Sequence, residues 1–179
     1  MKSLRLALLI VPALLLSASL LPAEDKKPRV SPHETVNGTV GDAKISIVYG
    51  RPYSKDPKSG EKRKIWGGLV PYSQVWRMGA DEATTLTTDK DITIGGTAIA
   101  AGTYTLFLLP EEGGAKLIVN KQTGQWGTKY DEKQDLVRID MKKQAADKPV
   151  DQFTVAVDNG MLKLTWEDVQ YSVAMAAKK

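Results

Sequence analysis

An alternation of apolar residues with a period of two constrains the fold of this chain more than any other feature. Apolar side chains occupy every second position in several segments, for example at Ile45, Ile47 and Tyr49, and again between Phe153 and Val157. Successive side chains of a strand point to opposite faces, so this period is typical of strands with one buried face. The 3.6-residue period of amphipathic helices is much rarer. The sequence therefore predicts strands and very little helix.

Turn residues divide the pattern into about ten short strands. Gly41-Asp42, Gly95-Gly96 and Asn159-Gly160 each separate two of them, and Asn-Gly suits a type I′ hairpin turn because both positions tolerate left-handed φ. The predicted strands lie at about 35–40, 44–49, 91–94, 97–99, 103–109, 115–120, 136–141, 153–158, 161–166 and 169–175. Without long helices between them, they indicate an all-β fold. An antiparallel β-sandwich (jelly-roll-like) and a flattened barrel are the two alternatives.

The first 23 residues have the three parts of a secretory signal peptide. Lys2 and Arg5 form the charged start, an uncharged apolar run covers 6–21, and Ala23 is a small residue at the expected cleavage site. A cut near Ser17 to Ser19 is the alternative site. A retained membrane anchor is disfavoured, because the apolar run is shorter than the roughly 20 residues of a spanning helix. We expect an exported protein, periplasmic or secreted, without a stable membrane anchor after cleavage.

The exported part has no cysteine and is close to neutral. Core packing and sheet pairing must therefore stabilise it without disulfides. The signal carries two of the 25 basic residues and none of the 21 acidic ones, which leaves a net charge of +2. So small a charge disfavours nucleic acid as a partner. We predict a flexible segment at 24–34, a single β domain at 35–176 and a C-terminal tail at 177–179.

Two long segments lack the strand pattern and are predicted to be loops. The first runs from about 50 to 79 and contains a basic run from Lys55 to Lys64, and the second covers 121–133. Together they carry six aromatic residues: Tyr53, Trp66, Tyr72, Trp76, Trp126 and Tyr130. Aromatic faces beside a few polar groups are typical of sites for sugars and other flat polar ligands. Alternatively, the rings close the open ends of the sandwich and the basic run is solvated.

Several motifs resemble the bacterial family known as domain of unknown function 2911. They are Gly50-Arg51-Pro52, the run from Arg63 to Tyr72, the run from Val75 to Thr85, Ala101 to Tyr104, and Asn120 to Gly127. The resemblance spans about Ser31 to Met175. The family pattern often has Asn where Asp81 stands and a shorter loop where Tyr53 to Lys62 lies. The resemblance implies an exported β-rich bacterial domain and carries no assigned activity.

Motifs of common enzyme and metal sites are missing from the sequence. There is no Gly-x-Ser-x-Gly elbow and no phosphate-binding glycine loop. The sole histidine, His33, lacks the second histidine of a zinc helix, so we predict no metal site and no cofactor. Asp81 and Glu82 are unsuited to act together as a glycosidase pair, because adjacent strand residues point to opposite faces. Instead, we expect one of them to pair with Arg77 and hold the loop against the sandwich.

Three functions are compatible with these residues. The first is a non-catalytic exported binding module for a glycan or small polar ligand. Its predicted site comprises Arg51, Trp66, Trp76, Arg77, Glu82 and Trp126, and no residue is predicted to be catalytic. The second is a hydrolase of envelope glycans that uses a carboxylate such as Glu82. The third is a structural envelope protein whose loops bind a protein partner.

Overall fold

A computed structural model describes residues 29–178 as nine antiparallel strands and one short 3-10 turn, so the all-β prediction is confirmed. The strands are β1 (His33–Val40), β2 (Ala43–Gly50), β3 (Thr84–Thr88), β4 (Ile92–Ile94), β5 (Thr97–Ile99), β6 (Gly102–Pro110), β7 (Ala115–Asn120), β8 (Asp135–Asp158) and β9 (Met161–Ala177). Their spatial order is β1-β2-β3-β6-β7-β8-β9-β4-β5. The predicted signal peptide lies outside the described residues.

The long strand β8 belongs to both layers of the sandwich. Its first part, up to Met141, pairs with β7, and its later part, from Lys142 to Asp158, pairs with β9. The later part packs across β1 and β2. The backbone N–H of Val155 donates to the Tyr49 hydroxyl at 3.0 Å, and Gly38 lies directly against Val157. Most of the buried apolar side chains form one core, which contains the rings of Tyr49, Trp66, Phe153, Trp166 and Tyr171.

The strands differ from the predicted ones in four places. The predicted strands 136–141 and 153–158 are one strand, β8, and the predicted strands 161–166 and 169–175 are one strand, β9. β3 was not predicted, because Thr84 to Thr88 contains a single aliphatic residue, Leu86, and shows little alternation. The first strand begins at His33, inside the segment expected to be flexible, because β1 pairs with β2 as far as His33 and Gly50.

The sheet of the described residues is open, with β1 and β5 as its two edges, so the closed-barrel alternative is not found and the fold is sandwich-like. The predicted turn at Asn159-Gly160 is confirmed. Both residues have positive φ, 49° and 69°, as a type I′ turn requires. Among residues 29–178, no helix has the length and apolar character needed to cross a membrane.

Candidate functional site

A cavity of about 520 Å³ opens between the two long loops at one end of the sandwich. Its wall contains five aromatic rings, two arginines and one carboxylate: Tyr53, Trp76, Phe107, Tyr130, Trp166, Arg63, Arg77 and Asp81. Aliphatic and proline side chains, among them Val30, Pro52 and Leu69, complete the wall. The lining is thus largely apolar with a few charged groups, which is the usual composition of a small-molecule site.

Trp76 is held at the cavity by the sheet itself. Its backbone N–H donates to Leu108 O at 2.7 Å and its carbonyl accepts from Leu108 N at 2.9 Å. Trp76 is thus paired with β6 beyond the point where the pairing of β3 with β6 ends. One face of the indole stacks on Trp166, with ring centroids 5.7 Å apart and an interplanar angle of 22°. Phe153 meets it edge-on at 4.9 Å. Contacts on several sides therefore fix the orientation of the ring.

Tyr53 and Arg63 come from the first loop. The segment around Tyr53 is tied to β8, where Ser54 N donates to Asp151 O at 2.6 Å and Phe153 N donates to Pro52 O at 2.9 Å. Arg63 donates from Nη2 to Tyr53 O at 2.5 Å, which joins the two halves of the loop. The basic run between them forms a small hairpin of its own, with a bridge between Lys55 and Lys62.

Tyr130 comes from the second loop and covers the outer face of the sheet. Its ring lies edge-on to Phe107 on β6, with centroids 4.8 Å apart. The hydroxyl donates to Asp135 at 2.6 Å and accepts from Arg138 at 2.9 Å. Burial, followed by the hydrogen bond to the Asp135 carboxylate, raises the pKa of Tyr130 to about 12. This network holds the ring in one orientation at the cavity wall.

A tight turn between the loops carries Arg77 and Asp81. Asp81 has φ of 62°, in the left-handed region that Asn and Asp tolerate better than most residues. Its carbonyl accepts from Gly127 N at 2.9 Å, which joins the turn to the second loop. Gly127 is needed there because a Cβ would lie 2.7 Å from Arg77 Cδ. Arg77 donates from Nε to Gly79 O at 3.1 Å.

The structure brings only part of the predicted site together. Trp76 and Arg77 line the cavity, whereas Trp66 is buried and donates its Nε1–H to Trp166 O at 3.2 Å. Arg51 is also committed to the fold, because it donates to Phe153 O and to the Thr154 hydroxyl and pairs with Glu34 at 2.7 Å. Trp66 is thus part of the core and does not line the cavity.

Glu82 and Trp126 lie beside the cavity, and their backbones form a single antiparallel bridge. Trp126 is largely exposed. Glu82 pairs with Arg29, and within residues 29–178 neither Glu82 nor Asp81 forms the expected ion pair with Arg77. The hydrogen bond from Arg29 lowers the pKa of Glu82 to about 2. Glu82 is thus held ionised, whereas the proton donor of a glycosidase needs a raised pKa.

Asp81 and Glu82 do point towards one region, contrary to the expectation for adjacent strand residues. They lie in the turn, where alternation does not apply, and both approach His33. Within the described part of the chain, His33, Asp81 and Glu82 form the one group whose ligand atoms are close enough to hold a metal ion. Spacing in the sequence could not reveal this group, because His33 and Asp81 are brought together only by tertiary structure.

Several cavity residues were missing from the predicted site. The sequence places Tyr53 and Tyr130 in the aromatic loops, but the predicted site does not include them. The consecutive apolar residues Leu106 to Leu109 on β6 were the available signal for Phe107, because a strand without alternation is covered on both faces. Trp166 carried no such signal, since it belongs to an ordinary alternating strand.

A family model described as "Protein of unknown function (DUF2911)" matches residues 31–175. No curated protein and no solved structure matches the chain.

Proposed function

The chain belongs to the DUF2911 family, and we propose that it is an exported, non-catalytic protein that binds a small polar ligand with a flat apolar face, such as a sugar unit of a glycan. The cavity between the two long loops is the proposed binding site. The observation that carries the proposal is the composition of its wall, in which ordered aromatic rings stand beside two guanidinium groups.

The aromatic rings suit a ligand that has one apolar face. A sugar ring presents such a face, formed by its C–H groups, and aromatic side chains cover it while polar groups hold the hydroxyls. The rings of Trp76 and Tyr130 are already fixed by stacking and hydrogen bonding. A ligand would therefore lose little free energy to the ordering of these side chains.

The charges of the cavity favour an acidic ligand over a basic one. Arg63 and Arg77 outnumber Asp81, the one carboxylate in its wall. In the hydrogen bonds of residues 29–178, Arg77 uses only Nε, for Gly79 O, so its terminal nitrogens remain able to donate to a ligand. A guanidinium group binds a carboxylate in a bidentate manner. Glycan units that carry a carboxylate, as peptidoglycan fragments do, are therefore the first ligands to test.

Isothermal titration with peptidoglycan fragments and neutral oligosaccharides tests the proposal. We expect saturable binding of at least one acidic fragment. Arg77→Gln should weaken that binding roughly tenfold, because it removes the guanidinium group whose terminal nitrogens can donate a charge-assisted hydrogen bond to the ligand.

Lys64→Gln is the matched control, since it removes one positive charge from the same loop and Lys64 does not line the cavity. We expect this variant to bind like the wild type. Equal weakening by both variants would show that only the general positive charge matters. That result, or no binding of any fragment, would contradict the proposal.

A further inference from the structure

Three ligand atoms from distant parts of the chain converge beside the cavity. His33 Nε2, on β1, lies 3.5 Å from Asp81 Oδ2 and 3.3 Å from Glu82 Oε2. One ligand atom from each residue lies within 4.8 Å of the other two. The side chains of His33, Asp81 and Glu82 are 24%, 31% and 44% exposed, so solvent and ions can reach them.

The spacing of these atoms suits a small divalent cation. Two ligand atoms that each lie about 2.1 Å from a tetrahedral metal ion are roughly 3.4 Å apart. Both distances from His33 Nε2 agree with this value. The only side-chain hydrogen bond of His33 within the described residues is to Arg29, so neither carboxylate is hydrogen-bonded to the ring.

A cationic group of the protein already lies at the point of convergence. Arg29 Nη1 is 2.9 Å from His33 Nε2, contacts Glu82 Oε2 and lies 4.0 Å from Asp81 Oδ2. A guanidinium group can only donate, so His33 Nε2 accepts and presents a lone pair, as a metal ligand must. Three lone-pair-bearing atoms thus surround one cationic nitrogen.

Arg29 can leave this place without disturbing the sheet. It lies N-terminal to β1, and its side chain is 45% exposed. By contrast, β1 and the turn hold His33, Asp81 and Glu82 in place through backbone hydrogen bonds to β2 and to the second loop. The three ligands would therefore stay together after the guanidinium group had moved away.

We propose that His33, Asp81 and Glu82 bind a divalent transition-metal ion such as Zn²⁺, which displaces the guanidinium group of Arg29. One imidazole nitrogen and two carboxylate oxygens match the ligands that zinc takes when water completes its coordination. Ca²⁺ and Mg²⁺ favour sites built from oxygen alone. Asp81 also lines the cavity, so the ion would lie at the cavity wall. The site does not depend on the proposed ligand of the cavity.

Isothermal titration of the purified protein with ZnCl₂ tests this site. We expect one ion per chain, with affinity reduced at least tenfold in His33→Ala and in Glu82→Gln. Arg29→Gln should instead increase the affinity roughly three- to tenfold, because it removes the competing cation. A merely structural role of Arg29 would not produce this increase.

Glu132→Gln is the matched control. Glu132 also pairs with an arginine, Arg138, at 2.7 Å, but it is not part of the histidine group. The zinc affinity of the Glu132→Gln variant should equal that of the wild-type protein. Near-UV circular dichroism of each variant shows whether the fold is retained, so that loss of binding through unfolding is recognised.

Nuclear magnetic resonance (NMR) gives a second readout, because the chain has a single histidine. The imidazole signals of His33 should shift with the same midpoint as the calorimetric titration, and at lower zinc concentration in Arg29→Gln. Zinc binding that persists in a folded His33→Ala variant would overturn the proposal. So would unchanged His33 signals at saturating zinc, or the absence of binding in both the wild type and Arg29→Gln.

Discussion

At the scale of single residues, Trp66 and Trp126 differ strongly in burial. Trp66 is 8% exposed, and its ring meets Trp76, Trp166 and Tyr171 edge-on. Trp126 is 49% exposed. Removing a buried ring loses its transfer free energy and leaves a cavity, whereas removing an exposed ring loses little of either. The two positions therefore separate a structural role from a surface role.

Trp66→Ala is expected to lower the free energy of unfolding by about 3–5 kcal/mol. Trp126→Ala makes the same chemical change at the surface and should lower it by less than about 1 kcal/mol. Urea denaturation followed by far-UV circular dichroism measures both values. Similar losses in the two variants would show that Trp66 is not packed in the core.

The carboxyl group of Glu82 gives a second prediction at this scale. Its pKa in the folded protein, about 2, is below the ordinary 4.5. The ionised form is thus favoured by folding, so its contribution to stability is complete above about pH 4.5 and is lost as the pH falls towards 2. In Arg29→Gln the pKa should return towards 4.5. Carbon-13 NMR of the side-chain carboxyl measures it, and a wild-type value near 4.5 would exclude the ion pair with Arg29.

At the scale of elements, the turn around Asp81 and the second loop are held together by close backbone contact. Gly127 is buried between Arg77 and Asp81, and a Cβ there would lie 2.7 Å from Arg77 Cδ and 2.8 Å from Asp81 O. A backbone oxygen cannot move away as a flexible side chain can. The loop therefore depends on glycine at this position in order to reach the cavity.

Gly127→Ala should lower the free energy of unfolding by about 1–3 kcal/mol, because the added methyl group forces the turn and the loop apart. Gly113→Ala is the control, since no atom lies within 4 Å of its added Cβ. Thermal unfolding of both variants measures the difference. A Gly127→Ala protein as stable as the control would show that the two segments are not in contact.

The elements also show why the sequence predicts some features and not others. The Asn159-Gly160 turn could be predicted because its conformation follows from two neighbouring residues. The middle of β8 could not, because Lys142 to Val150 has no apolar alternation and contains Pro149. Its strand conformation comes from pairing with β9, interrupted by shifts of register after Ala145 and Val150. The residues of this segment therefore do not by themselves indicate a strand, and the pairing with β9 is what makes it one.

At the scale of the whole molecule, the fold class follows from the sequence more directly than the site does. Period-two alternation determines which faces are buried, and it predicts an all-β domain without knowledge of strand order. The site instead depends on contacts between residues far apart in the chain. Arg29 and Glu82, for example, are 53 positions apart. Aromatic loop residues indicated where a site could lie, but not which rings face the cavity.

The two-layer scaffold and its loops enclose the proposed binding cavity, whose wall includes the partly exposed Trp76 but not Trp126. The chain has four tryptophans, so four indole N–H signals can be followed by proton–nitrogen NMR. During titration with an acidic peptidoglycan fragment, the signal of Trp76 should shift and reach saturation, while that of Trp126 stays nearly unchanged. Shifts confined to Trp126, or no shift in any of the four signals, would contradict ligand binding in this cavity.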